Sequence, residues 1–520
     1  MTIPTLPAFD DIVGRDGVIT DEAERIYYSQ DYYRQGSTTL AVIRPSSIAQ
    51  LAATVARATT HGLAVYPRGA GYSYTDAYLP TKPGITLDMR SMSRILDINT
   101  TDMFVTVEAG CSWAALDSAL EPHGVRAPFW GPLSGLRATI GGAVSQGAIS
   151  LGSGKYGVSA ESVLSLDVVT ADGKIIKTGS DGQPNHSPFF RNYGPDLTGL
   201  FCGDSGALGL KAHVTLRLMR RPNVNQGLAF GFTSMEGLVQ ASAAVAQEGL
   251  VSESLGLPAR VVGLRSSSGG LADDLRTLWT VAKAQANPID AIVQVAKIAV
   301  AGRRFFANLE QTLNVVVEGP NAESVKGQAR AVRKAVGNIG VEIANTVPTV
   351  LRAMPFRDHD MVSHTGQRQL PPSTILPFSK VMAFHTAFTA RVAAHAAEMT
   401  RHGMSVLPVF STVGTNGFLY EPVIAWNDAP DEFHRRHSAK ITIEKAKDFR
   451  NNPDARDLAQ TIRGYMIDCA YAHGGVHLQI GKVYPYLRDR NPAAVAAVKA
   501  LKALVDPKNL INPGALGLPG

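Results

Sequence analysis

Residues 67–73 are Pro-Arg-Gly-Ala-Gly-Tyr-Ser ("PRGAGYS"), and they follow the apolar run "HGLAVY". Two glycines at the end of a predicted strand leave the backbone there uncovered by side chains, because glycine has no Cβ, and they allow positive φ. Bare backbone lets successive amide N–H groups converge on one anion. Two more glycine clusters lie in the same half of the chain, at residues 138–157 ("ATIGGAVSQGAISLGSGKYG") and 203–218 ("GDSGALGLKAHVTLRL"). We call these the first loop, the second loop and the third cluster, and together they predict a site for an anionic ligand.

Two common phosphate-binding patterns do not account for these clusters. The dinucleotide fingerprint GxGxxG must open a helix, whereas "GAGYSYTD" here is followed by "AYLPTKPG", whose two prolines prevent a helix. The phosphate-loop pattern GxxxxGK[ST] does not occur in the sequence. The anionic ligand therefore requires another fold.

Composition narrows the class of protein. A chain of 520 residues predicts two or three domains, and 45% apolar with 18% charged residues is typical of a folded protein. The net charge of +6 comes from basic residues in short scattered pairs, which argues against nucleic acid and suits a bound anion. Cys111, Cys202 and Cys469 are too far apart to predict a disulfide framework or a metal site.

The sequence predicts neither a signal peptide nor a membrane span. The start "MTIPTLPAFDDIV" has neither the basic nor the apolar region of a signal peptide. No uninterrupted apolar run reaches the roughly 18 residues that a membrane span needs. We expect a cytoplasmic protein without a transmembrane segment.

The chain changes character after "RLMRRPN" (residues 217–223). Strand and helix signals alternate before this point, whereas the region after it has fewer glycine clusters and two units in which helices and strands alternate. We predict one domain over residues 1–222, a second over 223–460, and a C-terminal segment, 461–520, that returns to the first domain.

The order of the first loop, the second loop, the third cluster and the terminal "DPKNLINPG" resembles the FAD-linked oxidoreductases of the vanillyl-alcohol oxidase / p-cresol methylhydroxylase (PCMH) superfamily. That superfamily includes FAD-dependent D-lactate and glycolate dehydrogenases. The resemblance implies an α+β fold, in which a two-part FAD-binding PCMH-type domain carries an inserted α+β substrate-cap domain with an antiparallel sheet flanked by helices. It also implies FAD as cofactor and a small-molecule substrate.

The resemblance further assigns FAD binding to residues of both loops, the third cluster and the C-terminus. These are Pro67, Arg68, Gly69, Ala70, Gly71, Tyr72, Ser73, Ser134, Thr139, Gly141, Gly142, Ser145, Gly147, Ser153, Tyr156, Gly157, Leu210 and Asn512.

How the FAD is held depends on a departure from the family pattern. Some members tether FAD through a histidine that precedes the serine of the first loop, but this chain has Tyr72 there. Others use a cysteine of the second loop, and residues 133–157 contain none. We predict non-covalent FAD, while a tether to a histidine of the second domain stays open, with His364, His385, His434 and His437 as candidates.

His477, in "HGGVHLQIGK", is the candidate base, because histidine exchanges protons near neutral pH. His473 is a weaker alternative. The phenol-oxidising branch of the family uses a Tyr-Arg pair in this region, for which Tyr484 and Arg488 could substitute. The stretch "LPVFSTVGTNGFLYEP" lacks the histidines of the D-lactate branch, so we expect no metal site. Candidates for binding a substrate carboxylate are Lys482, Arg488, Arg357 and Arg352.

The leading functional hypothesis is oxidation of a CH–OH group, in a hydroxy acid or an alcohol, by hydride transfer to FAD. Oxidation of para-substituted phenols is the alternative within enzymes. A flavin-binding protein without turnover is the alternative outside them. The sequence leaves open whether oxygen or another carrier accepts the electrons, and whether the chain is a monomer or a homodimer.

Overall fold

The computed structural model describes residues 6–260, 308–356 and 361–520. It confirms the predicted α+β class. Two small sheets, with their helices, form the N-terminal domain, and one large antiparallel sheet with flanking helices forms the cap domain. In the described ranges, every helix falls short of the length or apolar character that a membrane crossing requires.

The first sheet carries the first loop. Its strand order is β1-β2-β4-β3, in which β2, β4 and β3 run parallel. The helix Ile48–Thr60 connects β2 to β3 and packs Leu51 and Val55 against the sheet. Since β3 ends at Arg68, the first loop lies at the carboxyl end of a buried parallel strand, as the sequence predicts. The strands are β1 (Val18–Ile19), β2 (Ala41–Ile43), β3 (Ala64–Arg68) and β4 (Gly84–Asp88).

The second sheet is antiparallel, in the order β5-β6-β10-β8-β9, and a separate pair joins β7 to β11. Its strands bury alternating apolar side chains such as Val105, Val107 and Val214. The second loop lies between β7 and β8, and the third cluster leads into β10 and includes it. The strands are β5 (Ile95–Asn99), β6 (Phe104–Glu108), β7 (Val125–Arg126), β8 (Val163–Val169), β9 (Ile175–Lys177), β10 (Leu210–Arg217) and β11 (Met219–Arg220).

The C-terminal tail packs on the N-terminal domain. The amide of Val65 in β3 donates to the carbonyl of Leu510, and Ile511 lies in the core of the first sheet. Leu510 and Ile511 therefore lie against the first sheet. The α-helices of the N-terminal domain and tail are Asp10–Val13, Glu22–Tyr28, Ile48–Thr60, Trp113–Leu120, Ile140–Gln146, Ser153–Tyr156, Leu197–Leu200 and Pro492–Val505.

The cap domain is built on an eight-stranded antiparallel sheet in the order β15-β12-β14-β13-β18-β19-β16, with β17 also paired to β19. The strands are β12 (Val224–Phe232), β13 (Val251–Pro258), β14 (Gln311–Gly319), β15 (Val341–Ile343), β16 (Arg368–Leu370), β17 (Thr374–Leu376), β18 (Ser405–Val413) and β19 (Gly417–Trp426).

Helices flank this sheet, as predicted from the resemblance. They are Met235–Gln247, Ala322–Val336, Thr346–Ala353, Val381–Ala393, Ala396–Arg401, Glu432–His437, Lys440–Glu444 and Pro453–Ala472. The sheet begins at Val224, next to the predicted boundary at 222, and the helix Pro453–Ala472 runs through position 460 without a break.

Buried charges join the two domains. Arg126 of β7 pairs with Glu318 of β14, and Arg352 pairs with both Glu318 and Glu253. The Trp130 indole donates to Glu253 at 3.2 Å, and the Arg352 guanidinium lies 4.8 Å from the centre of the Trp130 ring. Because these charges are shielded from water, the removal of one partner would leave an uncompensated buried charge between the cap sheet and the N-terminal domain.

Candidate functional site

A cavity of about 430 Å³ lies between the glycine clusters and the cap sheet. One wall consists of the first loop, the second loop and the start of β10. The opposite wall consists of β13, β18, β19 and residues near β16. A volume of this size is typical of a small-molecule or cofactor site.

The first loop presents open amides to this cavity. Among the described residues, the amides of Gly69, Ala70, Gly71 and Ser73 find no hydrogen-bond acceptor. Gly71 has a φ of +86°, which only glycine adopts without strain. Successive unpaired amides with such a turn are suited to an anion, as the sequence predicts.

The first and second loops touch at a glycine. A Cβ at Gly69 would overlap Thr139 Oγ1 and lie 3.4 Å from the Thr139 Cβ. That threonine caps the helix Ile140–Gln146, because its hydroxyl accepts from the amide of Gly142 at 3.3 Å. The second loop also approaches closely at Gly141, where a Cβ would lie 2.6 Å from the Cβ of Ala109. The glycines therefore allow the loops to line one continuous wall.

Arg68 does not line the cavity. Its guanidinium is fully buried, 4.7 Å from the ring centre of Tyr28, 5.0 Å from that of Tyr27 and 5.4 Å from that of Tyr78. Its three nitrogens find no hydrogen-bond acceptor in the described part of the chain. The Tyr78 hydroxyl in turn donates to the carbonyl of Gly71 at 2.9 Å. Arg68 thus places a positive charge, which interacts with the carboxylate of Asp88, close to the first loop, and this charge favours an anion there.

Asn512 fastens the C-terminus to both the first domain and the third cluster. Its buried Nδ2 donates to the carbonyls of Ala77 and Ser205, each at 2.6 Å, and its backbone has a φ of +41°. Asn512 does not line the cavity, whereas Leu210 of the third cluster does. The two hydrogen bonds of the Asn512 side chain give this residue a supporting structural role.

The "GSGKYG" stretch of the second loop packs against the cap instead of lining the cavity. Ser153 Oγ accepts from the amide of Ser150 at 2.9 Å, and the Ser153 carbonyl accepts from the amide of Gly414 at 3.0 Å. Gly157 ends the short helix at φ +76°, and Tyr156 is half-buried beside it. Gly147 ends the preceding helix at φ +63°.

Most of the predicted FAD-binding residues do line the cavity. They are Pro67, Gly69, Ala70, Gly71, Tyr72, Ser73, Ser134, Thr139, Gly141, Gly142, Ser145 and Leu210.

Of the predicted catalytic residues, His477 and Tyr484 contact each other, whereas Arg488 lies apart from them. The His477 ring stacks on the Tyr484 ring with centroids 4.1 Å apart, and its Nδ1 lies 2.8 Å from the carbonyl of Ser373. The Tyr484 hydroxyl accepts from the amide of Ser373 at 2.9 Å. Arg488 lies at the surface, where it pairs with Asp468 at 3.1 Å. None of the three predicted residues lines the cavity, so their catalytic roles stay predictions.

The predicted carboxylate-binding cations are also engaged elsewhere. Lys482 Nζ donates to the carbonyl of Leu79, and burial lowers the pKa of this lysine to about 7. Arg352 belongs to the buried charges between the domains. Arg357 lies outside the described residues.

Of the four histidines proposed for a tether, His437 contacts a residue of the cavity wall. Its Nδ1 lies 3.4 Å from the Tyr72 hydroxyl, and its Nε2 lies 2.8 Å from the Tyr27 hydroxyl. Burial, reinforced by nearby arginines, lowers the pKa of His437 to about 3, so the ring is neutral. His434 contacts Asp431 and also packs edge-on against the cavity-lining Tyr32, with ring centres 6.0 Å apart. His385 instead contacts Tyr420, and His364 is exposed.

The cap wall contains functional groups that sequence reasoning missed. Along β19, Leu419, Glu421 and Val423 share the face that lines the cavity, and the residues between them face away from it. Burial raises the pKa of Glu421 to about 7. The polar residues that line the cavity near the cap include Tyr32, Tyr74, Ser254, Gln369, Ser411 and Gln479.

The N-terminal wall fits the diphosphate of FAD. Open amides of the first loop, glycines that allow close approach, and the buried charge of Arg68 all favour a bound dianion. Two further residues that line the cavity each have a buried polar atom without a hydrogen-bond partner in the described ranges. These atoms are Gln146 Oε1 and Ser254 Oγ.

Comparison with known proteins agrees with this geometry. Residues 39–179 match the FAD binding domain family, and residues 452–516 match the C-terminal domain of FAD linked oxidases. The glycolate oxidase subunit GlcD of Bacillus subtilis is 25% identical over 510 residues, covering 97% of this chain and 95% of the relative. A probable mitochondrial D-lactate dehydrogenase of Danio rerio is 24% identical over 520 residues, covering 98% and 90%.

The fold matches solved structures as well. The structure of p-cresol methylhydroxylase with substrate bound superposes with a TM-score of 0.69 at 16% identity, covering 98% of this chain and 96% of that one. The two matched domains indicate an FAD-linked oxidoreductase, and the fold is the one that p-cresol methylhydroxylase has. FAD is its cofactor.

Proposed function

We propose that this protein oxidises the CH–OH group of a small hydroxy acid or alcohol, and that FAD is held without a covalent bond. The cavity carries the proposal, because it joins the amide-rich loops to a cap wall that has room for a small substrate. The names of the similar proteins, a glycolate oxidase subunit and a D-lactate dehydrogenase, support the substrate class.

Each wall has a separate task in the proposed reaction. Bound FAD supplies the hydride acceptor. The first loop holds the diphosphate through the amides of Gly69, Ala70 and Gly71. The cap wall holds the substrate, and its apolar members, such as Val409 and Leu419, exclude water from the reacting carbon.

Oxidation of a para-substituted phenol is the second candidate. It is supported by the cavity-lining hydroxyls of Tyr32 and Tyr74, which burial keeps neutral by raising their pKa and which could donate to a phenolate. It loses the support expected from Tyr484 and Arg488, since Tyr484 is buried against Ser373 and Arg488 lies at the surface.

The test is anaerobic mixing of the purified, flavin-loaded protein with 2-hydroxy acids, primary and secondary alcohols, and 4-alkylphenols in turn. We expect a hydroxy acid or an alcohol to bleach the flavin absorbance. Bleaching by phenols alone would select the second candidate. A flavin that no compound bleaches would indicate a binding protein without turnover. Admitting oxygen to the bleached protein then shows whether oxygen or another carrier accepts the electrons.

A further inference from the structure

Glu421 is a carboxylate built into the wall of the cavity. It lies in the middle of β19, where its neighbours at 420 and 422 face the cap interior and it shares the cavity face with Leu419 and Val423. The opposite face of the strand is anchored, because the ring of Tyr420 packs 5.0 Å from that of Phe384. The strand therefore fixes the direction of the carboxylate.

A second carboxylate in the cavity wall shows what makes Glu421 different. Glu253 also lines the cavity, but it accepts from Arg352 at 2.8 Å and from the Trp130 indole at 3.2 Å. For Glu421, no described residue supplies a hydrogen bond or an ion pair, and burial is the one cause that shifts its pKa, to about 7. Glu253 is neutralised by its partners, whereas Glu421 is left to exchange a proton.

Three tyrosines interact electrostatically with Glu421. The charge of Glu421 contributes to the raised pKa values of Tyr32, Tyr74 and Tyr484, so these hydroxyls stay protonated. Gln369 and Gln479, which line the same cavity, are uncharged. On β16, Arg368 is already paired with Asp428 and Asp431.

We propose that Glu421 is the proton acceptor for the substrate hydroxyl, a role that rests on the proposed function. When the O–H bond breaks, the proton passes to the Glu421 carboxylate and a C=O bond forms. The hydrogen on carbon leaves with its electron pair as hydride, and the bound flavin is reduced. The geometry favours Glu421 over His477, because Glu421 lines the cavity and the His477 ring packs between Tyr484 and the Ser373 carbonyl.

The kinetic test compares flavin bleaching in the wild type, Glu421→Gln and the exposed cap variant Glu323→Gln. In the wild type we expect the anaerobic bleaching rate to rise with pH through about 7, since the ionised carboxylate is the active form. Glu421→Gln should keep its FAD but bleach about 10²- to 10⁴-fold more slowly, without that rise. Glu323→Gln should match the wild type, and His477→Gln should retain the pH inflection.

A second measurement does not depend on turnover. Infrared difference titration of the flavin-loaded protein should show a Glu421 carboxyl signal near pH 7 that is missing in Glu421→Gln. Burial also raises the pKa of Asp31 to about 7, so a second carboxyl signal in this range should be present in both proteins, and the wild-type minus Glu421→Gln difference isolates Glu421. If the Glu421 signal is absent from the wild type, or if Glu421→Gln bleaches at the wild-type rate and pH profile, the role of Glu421 is overturned while the proposed function stands. If no hydroxy acid or alcohol bleaches the wild type, the proposed function fails, and this role fails with it.

Discussion

A single methyl group at Gly69 should separate the first loop from the second. In Gly69→Ala the new Cβ would overlap Thr139 Oγ1 and lie 3.4 Å from both Thr139 Cβ and Cγ2. Overpacking of this kind costs about 1–3 kcal/mol. The threonine cannot turn away freely, because its hydroxyl caps the amide of Gly142. We therefore expect the first loop to move and its open amides to lose their alignment.

If that cost falls on the ligand-bound state, the affinity for FAD should drop by about 5- to 150-fold. The assay is titration of apoprotein with FAD, followed by quenching of flavin fluorescence, alongside urea denaturation. The double variant Gly69→Ala/Thr139→Ala removes the colliding oxygen. Although Thr139→Ala alone should cost about 1 kcal/mol through the lost cap, the double variant should bind FAD better than Gly69→Ala.

Gly464→Ala is the matched control, since Gly464 lies inside the helix Pro453–Ala472 and a Cβ there meets nothing within 4 Å. It should leave FAD affinity unchanged and stabilise the helix by roughly 0.5–1 kcal/mol. Wild-type FAD affinity in Gly69→Ala would refute the reasoning. Equal weakening in the single and double variants would show that Thr139 is not the obstacle.

Three further predictions concern stability. Asn512→Gly allows the same positive φ but removes two buried hydrogen bonds, so urea denaturation should show a free energy of unfolding that is lower by roughly 1–3 kcal/mol. An unchanged denaturation midpoint would contradict the supporting role of Asn512. Arg352→Met removes one ion-pair partner from the buried carboxylates of Glu253 and Glu318, so the free energy of unfolding should fall by about 3–5 kcal/mol. An unchanged melting temperature in thermal unfolding would refute this. The pKa of Glu421 is about 7 in the folded protein and 4.5 for an ordinary glutamate, so the folded state binds the proton more tightly than the unfolded state. The free energy of unfolding of the wild type should therefore fall relative to that of Glu421→Gln as the pH rises from 4.5 to 7. Parallel stability profiles of the two proteins over this pH range would contradict the prediction.

The N-terminal wall could be predicted from the sequence because its requirements are local. Anion binding by amides needs glycines at the end of a strand, and such a cluster is visible in "PRGAGYS". The resemblance alone predicts the return of the C-terminus at Asn512. In the structure, the Asn512 side chain donates to the carbonyls of Ala77 and Ser205.

The cap wall could not be predicted in the same way, because its residues come from distant strands. The alternation in "GFLYEPVIAW" places Glu421 on one face with Leu419 and Val423, but both faces are covered by protein, so the pattern does not show which one borders a cavity. The role of the Tyr484–Arg488 pair stays a prediction, and sequence proximity alone does not decide it. The two residues are close in sequence, yet Tyr484 turns into the core and Arg488 turns to the surface.

The central claim is that main-chain amides of the first loop hold the diphosphate of FAD. The most direct measurement is the FAD content of the purified protein, determined by absorbance before and after acid precipitation, with FAD titration of any colourless fraction. The account predicts equimolar FAD, all of it released into the acid supernatant. A chain that stays colourless and does not bind added FAD would contradict the claim.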